Sequence, residues 1–338
     1  MTASMIVRRG ALLAITGVSL YLLAPAILNV FGAWDRLEDI NPLWFPAMLL
    51  LQAGSYACMW GVQRLALRTH AWGPVITSQL TSNAFGRIVP GGVAASGAMQ
   101  YAMLTRTGIP ASAAASGMTA SSVLVFATLC ALPVLAVPAM LGGAPVDRGL
   151  ATAAGIGAGV FALMFALGAA CVVSDRPLIV IGRAAQWIRN RVRPRREPLT
   201  DLPRRLLRER DIVMEVLGRK WWQALLLASG RWLLDYATLL AALSAVGAHP
   251  RPSLVLLAFF AAQLLGTMPL TPGGLGFVEA GLTGTLALAG VPGGPAVLAT
   301  LAYRLVSFWL PIPAGGVTYL VHRRLYERTA EPASDAGG

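Results

Sequence analysis

The 338-residue chain is 56% apolar and only 12% charged, and it carries a formal net charge of +12. Because a soluble domain has roughly twice that share of charged residues, the composition predicts an all-α, polytopic membrane protein and excludes an ordinary soluble enzyme. The basic residues cluster in short segments between apolar stretches, which is typical of cytoplasmic loops. The net charge therefore does not indicate a nucleic-acid partner.

Six long apolar stretches follow one another along the chain, and each is long enough as a helix to cross a hydrocarbon core of about 30 Å. They cover residues 10–32, 43–66, 111–141, 150–174, 221–247 and 295–321. The first is longer than the apolar core of a signal peptide, so we expect a retained helix. Cys58, Cys130 and Cys171 lie inside apolar runs without metal-ligand spacing, so the sequence predicts neither disulfides nor a zinc site.

The charges between these stretches predict their direction in the cytoplasmic membrane. Arg8 and Arg9 place the N-terminus in the cytoplasm, whereas the acidic segment 34–42 suits the outside. The segment 175–220 contains 13 basic and six acidic residues and must be cytoplasmic. The basic run 322–328 places the C-terminus, with its polar tail 329–338, on the same side.

The basic segment 175–220 has a pattern of its own, because apolar residues recur among its arginines. These are Leu206, Leu207, Val213, Met214 and Leu217. The pattern predicts a helix lying at the membrane interface, where it would bind anionic lipid. The alternative is a solvated cytoplasmic loop that sets only the topology.

A phrase of 21 residues occurs twice, at 90–110 and at 272–292, with seven identities and a constant offset of 182 residues. Both copies begin with Pro-Gly-Gly and end with Gly-x-Pro. Proline and glycine interrupt helices, and the arm after each break is too short to span comfortably. Each copy therefore predicts a re-entrant helical hairpin.

The flanking charges predict that the two hairpins enter from opposite faces, the first from the cytoplasm and the second from outside. Such an arrangement is an inverted-topology repeat, whose units would be residues 43–141 and 221–321 of one transmembrane domain spanning 1–338. The two hairpin tips would meet near the midplane of the bilayer. The alternative is a chance similarity between two Gly- and Pro-rich sequences.

Charged residues inside apolar stretches are the candidate functional residues, since a charge at the bilayer centre costs about 2.5–3.5 kcal/mol on insertion scales. Arg87 and Glu279 flank the two breaks, and Arg304 lies within the last span. These residues could bind substrate, or Glu279 and Arg304 could form a structural salt bridge. Arg87 could instead lie near the interface. Arg231 and Asp235 are four residues apart and are predicted to form a structural pair on one helix face.

Three motifs resemble the lysylphosphatidylglycerol synthase transmembrane region, also called the flippase-like integral membrane family. They are the first Pro-Gly-Gly with upstream Asn83, TPGGLGFVEAGL at 271–282 and YRLVSFWLP at 303–311. The resemblance covers about residues 10–325 and implies a translocase unit without the aminoacyl transferase domain that better-known members carry. The family's Pro-Gly-Gly, Glu and Arg positions correspond here to Pro272, Gly273, Gly274, Glu279 and Arg304, with Pro90, Gly91 and Gly92 in the first half, and the resemblance implies that these residues form a substrate site. Arg87, selected by its charge, and Asn83, which precedes the first Pro-Gly-Gly, are predicted to belong to the same site. Position 97, which matches Glu279, is glycine.

These observations predict a flippase that moves a phospholipid or a polyprenyl-linked lipid between the two hairpin tips. Arg304 and Arg87 would bind the phosphate, while Glu279 would bind a cationic headgroup or carry a coupling proton. The chain has no nucleotide-binding motif, and the sequence predicts no cofactor or metal. Two alternatives remain, namely an enzyme acting on polyprenyl-phosphate-linked sugars or other lipids, and a regulatory scaffold that recruits partners through its basic segment.

Overall fold

A computed structural model describes residues 41–89, 92–136, 174–192, 200–266 and 274–327, together with isolated positions between 152 and 173. This part of the chain consists of helices joined by short turns and contains no strand, in agreement with the all-α class. Several predicted features lie outside the described residues. These are the span 10–32, most of 150–174, the tail 329–338 and positions 90, 91, 272 and 273.

Four helices form the first half, and they are α1 (Trp44–Ala66), α2 (Trp72–Ile88), α3 (Gly92–Arg106) and α4 (Ala111–Ala131). α2 ends where Val89 takes an extended conformation (φ −92°, ψ 132°), as expected for a residue that precedes proline. The turn between α3 and α4 contains Gly108 at φ +87°, and Pro110 then caps α4. A 3-10 turn, Leu132–Ala136, continues α4.

The basic segment forms two packed helices, α5 (Arg176–Val192) and the start of α6 (Leu202–Ala245). α6 has 44 residues and is roughly 66 Å long, about twice the thickness of a hydrocarbon core. The two helices touch closely, since a Cβ atom on Gly182 would lie 2.8 Å from the Cα atom of Pro203. The basic segment 175–220, for which the sequence left an interfacial helix and a solvated loop open, is therefore largely helical.

The second half continues from α6 with three helices of similar order, α7 (Pro252–Gly266), α8 (Phe277–Leu288) and α9 (Gly293–Arg304). A π-helical turn, Leu305–Trp309, joins α9 to α10 (Pro311–His322), and a second π-helical turn covers Arg323–Glu327. Gly276, at φ +77°, precedes the first residue of α8. A left-handed conformation here favours glycine, so this residue lets the chain enter α8.

Three described helical stretches are long and apolar enough to cross a membrane, judged by length and composition. They are Ala111–Ala136, Lys220–Ala245 and Gly293–Tyr326, and they coincide with three of the six predicted spans. α1 has 23 residues, enough to span at 1.5 Å per residue, but its interior glutamines lower its hydropathy. The chain is thus a membrane protein with several apolar helices, and the count of six spans stays a prediction.

The core lies where α1 and α6 pack along one another and α7 packs beside them. Phe259 and Phe260 of α7 are fully buried there, with Leu239 of α6 and Met48 of α1. Trp232 of α6 donates a hydrogen bond of 2.7 Å to the backbone carbonyl of Val125 in α4. This bond satisfies an indole N–H that would otherwise be buried without a partner.

In each half the fourth helix ends against the other half. The fourth helix is α4 in the first half, and it is α9 with its continuation α10 in the second half. The 3-10 turn after α4 contacts α7, the first hairpin arm of the second half. In return, α10 packs along α2, the first hairpin arm of the first half. A Cβ atom on Gly315 of α10 would lie 2.6 Å from the carbonyl oxygen of Leu80, so the α10–α2 contact depends on a small residue.

Candidate functional site

The structure brings Glu279 and Arg304 into direct contact. The Nε atom of Arg304 donates a hydrogen bond of 2.7 Å to Oε1 of Glu279, and Arg304 is only 8% exposed. The other carboxylate oxygen, Oε2 of Glu279, is buried and accepts no hydrogen bond from the described residues. The carboxylate therefore keeps one buried acceptor that is not used by the surrounding described side chains.

Local helix geometry positions these two residues. Glu279 lies in the first turn of α8, where a helix N-terminus favours negative charge. Arg304 is the last residue of α9, and the π-helical turn that follows carries Phe308. The guanidinium carbon of Arg304 lies 4.1 Å from the centroid of the Phe308 ring, a distance typical of a cation–π contact.

Arg87, near the end of α2, contacts the same aromatic residue from the other half of the protein. Its guanidinium carbon is 4.8 Å from the ring centroid of Phe308, and its NH1 group donates a hydrogen bond to the Phe308 carbonyl. Its Nε atom donates to Oδ1 of Asn83 at 2.9 Å, and NH2 donates to the hydroxyl of Tyr56 at 3.0 Å. Among the described residues, the hydrogen-bond partners of Arg87 are all uncharged.

One aromatic ring thus joins two arginines from different halves, and a single carboxylate neutralises one of them. The predicted residues Arg87, Asn83, Glu279 and Arg304 form one cluster. Tyr56 and Phe308 also belong to it, and the sequence reasoning did not select them. Phe308 had a usable signal, because it lies four residues after Arg304 and must share its helix face.

A second network surrounds Asp235, which is 4% exposed. Arg231 approaches it at 3.5 Å on the same helix, as the spacing predicted. Two shorter hydrogen bonds come from residues that the sequence reasoning missed, Tyr303 (hydroxyl to Oδ1, 3.1 Å) and Gln263 (Nε2 to Oδ2, 3.3 Å). Because Tyr303 precedes Arg304 in the chain, the last turn of α9 touches both carboxylates.

Glycines in the repeated phrase, and Gly86 just before its first copy, allow close approach of the backbone. A Cβ atom on Gly86 would lie 2.8 Å from the carbonyl oxygen of Gly92, so the arms α2 and α3 meet backbone to backbone. Gly274 has φ +71°, and a Cβ atom there would lie 2.7 Å from Cγ2 of Val278. The assignment of these glycines to substrate binding stays a prediction.

Metal chemistry has little support in the described part of the chain. No group of three or more His, Cys, Asp or Glu side chains lies close enough there to bind an ion. The two carboxylates of the interior are instead engaged by arginine, tyrosine and glutamine side chains.

Comparisons with known proteins agree with the family predicted from the motifs. The family model described as lysylphosphatidylglycerol synthase TM region matches residues 11–315. A UPF0104 membrane protein of Methanothermobacter thermautotrophicus is 33% identical over 86 residues, which cover 25% of this chain and 26% of that protein. The chain thus matches about a quarter of this relative's length. No solved structure matches the chain.

Proposed function

The chain belongs to the lysylphosphatidylglycerol synthase transmembrane-region family, and from this premise we propose that it moves a phospholipid or a polyprenyl-linked lipid across the cytoplasmic membrane. In this proposal it acts as a flippase without covalent chemistry. The headgroup passes the cluster of Arg87, Arg304, Glu279 and Phe308, while the acyl chains remain in lipid.

The observation that carries the proposal is the pair of arginines held on Phe308 from two different halves of the protein. Guanidinium groups bind phosphate through paired N–H groups, so they are suited to a lipid phosphate. Charged residues within transmembrane segments are usually functional, because each one is costly to insert. Movement of one half against the other would change the distance between Arg87 and Arg304 and thereby bind or release the phosphate.

We further propose that the two halves form an inverted-topology repeat with re-entrant hairpins. Each half has a long helix, two short helices and a fourth helix, in the same order. The end of each fourth helix packs on the first short helix of the other half. This exchange supports a pseudo-two-fold relation, and transporters of that kind bind substrate where the repeats meet.

Cysteine labelling tests the inverted repeat. In a background without Cys58, Cys130 and Cys171, we expect Arg106→Cys to be labelled from the cytoplasm and Gly293→Cys from outside. Both positions are exposed, and a Cβ atom at Gly293 meets open space. Labelling of both positions from the same face would contradict the repeat.

We propose in addition that α5 lies on the cytoplasmic membrane surface and binds anionic lipid. Val180, Ile181 and Trp187 are exposed on this helix, and Arg183 and Arg191 lie one turn to either side of Trp187 along it. A helix with exposed apolar and basic side chains binds at an interface through both the hydrophobic effect and charge. Its attachment to α6, which continues into an apolar span, keeps it next to the bilayer.

The experiment that tests the main proposal is lipid exchange in proteoliposomes. Purified protein is reconstituted with headgroup-labelled lipid, and dithionite reduction reports the fraction exposed over time. We expect exchange with the native protein and its loss in Arg87→Gln, whereas Arg251→Gln, an exposed arginine outside the cluster, serves as the matched control. Chemical alteration of the lipid would instead support the enzyme. The absence of both exchange and product would support the scaffold.

A further inference from the structure

The charges of the interior cluster do not balance among the residues that the structure describes. Five charged side chains are connected through contacts with Phe308 and through the adjacent residues Tyr303 and Arg304. Three are cations and two are anions, namely Arg87, Arg231, Arg304, Asp235 and Glu279.

The excess charge can be assigned to one residue. Arg304 is paired with Glu279 at 2.7 Å, and Arg231 is paired with Asp235 at 3.5 Å. The three hydrogen-bond partners of Arg87 are uncharged, and Asp235, the described carboxylate with which it interacts electrostatically, is already paired with Arg231. A charge that is partly removed from water without a counter-ion destabilises the protein, so this position favours an anionic ligand.

We infer that the site takes a headgroup with a single net negative charge, that is, a phosphodiester whose second substituent is neutral. The inference rests on the proposed function and names its substrate class. One negative charge at Arg87 brings the cluster to neutrality. A phosphomonoester carries up to two negative charges and would leave an excess of the opposite sign.

A zwitterionic or cationic headgroup fits less well, because it brings no net negative charge to the cluster. Glu279 and Asp235 are the only carboxylates of the cluster among the described residues, and each is already engaged by an arginine. An amine could still donate a hydrogen bond to the unused Oε2 of Glu279, but a zwitterionic headgroup brings no net charge and leaves the cluster with one excess positive charge. The charge arrangement therefore disfavours phosphatidylcholine-like and aminoacylated headgroups.

The test is lipid retention measured by native mass spectrometry on the full chain, released from nanodiscs with equal amounts of phosphatidylglycerol, phosphatidylcholine and phosphatidic acid. We expect phosphatidylglycerol to be retained about tenfold more than phosphatidylcholine, since one unit charge is at stake. Arg87→Gln should abolish this preference, whereas Arg87→Lys, which keeps the charge, should retain it. Glu279→Gln, which raises the net charge by one, should shift the preference toward phosphatidic acid.

A background variant separates this site from the basic surface of α5. Arg183→Gln with Arg191→Gln removes two exposed charges on α5, and the preference for phosphatidylglycerol should persist in it. Equal retention of phosphatidylglycerol and phosphatidylcholine in this background, or a preference that survives Arg87→Gln, would overturn the inference.

The exchange assay distinguishes failure of this inference from failure of the proposed function. A protein that exchanges both lipids equally would refute the charge rule and leave the flippase intact. A protein that retains phosphatidylglycerol selectively but exchanges no lipid would refute the flippase and leave the charge rule intact.

Discussion

The two helical hairpins share a sequence phrase but are stabilised in different ways. The first arm of the first hairpin, α2, buries polar side chains, with Thr77, Ser78, Gln79, Thr81 and Ser82 each less than 10% exposed. The first arm of the second hairpin, α7, buries a continuous apolar run at 254–262. The first hairpin is therefore held by hydrogen bonds and small residues, whereas the second is held mainly by apolar packing.

The hairpins also differ in charge. The first contributes Arg87 from its first arm, and the second contributes Glu279 from its second arm. At the position equivalent to Glu279, the first hairpin has Gly97, where a Cβ atom would meet open space. The two hairpins thus have similar backbones but different side chains, and each contributes one charged residue to the cluster around Phe308.

The largest expected effect comes from breaking the ion pair of the second hairpin. Glu279→Gln or Arg304→Gln removes one partner of a buried ion pair, so each should lower the free energy of unfolding by about 3–5 kcal/mol. The double variant should recover most of that stability but not lipid exchange, because the phosphate ligand is lost. Arg304→Lys should also exchange lipid poorly, since an ammonium cannot bind phosphate with two parallel N–H groups.

Thermal unfolding and lipid exchange measured on all four variants check this prediction. A double variant that is both stable and active would contradict the assignment of Glu279 and Arg304 to the substrate site, and would leave them a structural pair.

A smaller effect is expected from the polar contacts of the first hairpin. Gln100 of α3 donates a hydrogen bond of 3.0 Å to Gln63 of α1, and both side chains are buried. Gln63→Leu leaves the amide of Gln100 without its partner and should cost about 1–3 kcal/mol. Gln63→Leu with Gln100→Leu should restore stability, as measured by thermal unfolding in detergent. Equal losses in the single and double variants would argue against this hydrogen bond as the stabilising contact.

Two glycines, one from each hairpin, should respond to substitution in opposite directions. Gly274→Ala places a side chain at φ +71° and against Val278, so it should destabilise the protein by about 1–2 kcal/mol. Gly97→Ala lies in a helix with open space around the new Cβ atom, and it should be neutral or stabilising by up to about 1 kcal/mol. A matched pair of melting curves decides this, and equal destabilisation by both changes would refute it.

The smallest effect is expected at the contact between α2 and α10. Thr81 approaches the hydroxyl of Thr318 at 3.2 Å and the carbonyl of Gly315 at 3.3 Å. Interhelical hydrogen bonds of this kind in membranes average about 0.6 kcal/mol, so Thr81→Val should lower stability by about that amount. Val123→Ala at an exposed position of α4 is the control. A loss of stability several times larger would mean that the polar face of α2 contributes more to the stability of the protein than this one hydrogen-bonded contact.

The sequence was sufficient for features that depend on local chemistry. Proline and glycine predicted the helix breaks near 90 and 272. The cost of placing a charge in the membrane indicated Arg87, Glu279 and Arg304 as candidate functional residues. Tyr56 and Gln263 were not predicted to belong to these clusters, because the sequence does not show which neighbouring helix a single polar residue faces. The partner of Arg87 lies 221 residues away in the chain, and only tertiary packing brings Phe308 to it.

The extent of the basic helices also required the structure. The arginine-rich composition of 175–220 indicated a cytoplasmic segment, and the apolar residues within it suggested a helix. That α6 runs without interruption from Leu202 into the core could not be read from the sequence, because the hydropathy changes abruptly near Lys220. Helix continuity there is a property of the backbone, whereas hydropathy reports only on the side chains.

The unbroken helix α6 connects the basic residues near its start to Asp235 in the interior. About 31 residues separate Arg204 from Asp235, which corresponds to roughly 46 Å along the helix axis. Because α6 is one continuous helix, a tilt of its basic end would also displace Asp235 relative to Tyr303, and with it the hydrogen bond between these two side chains.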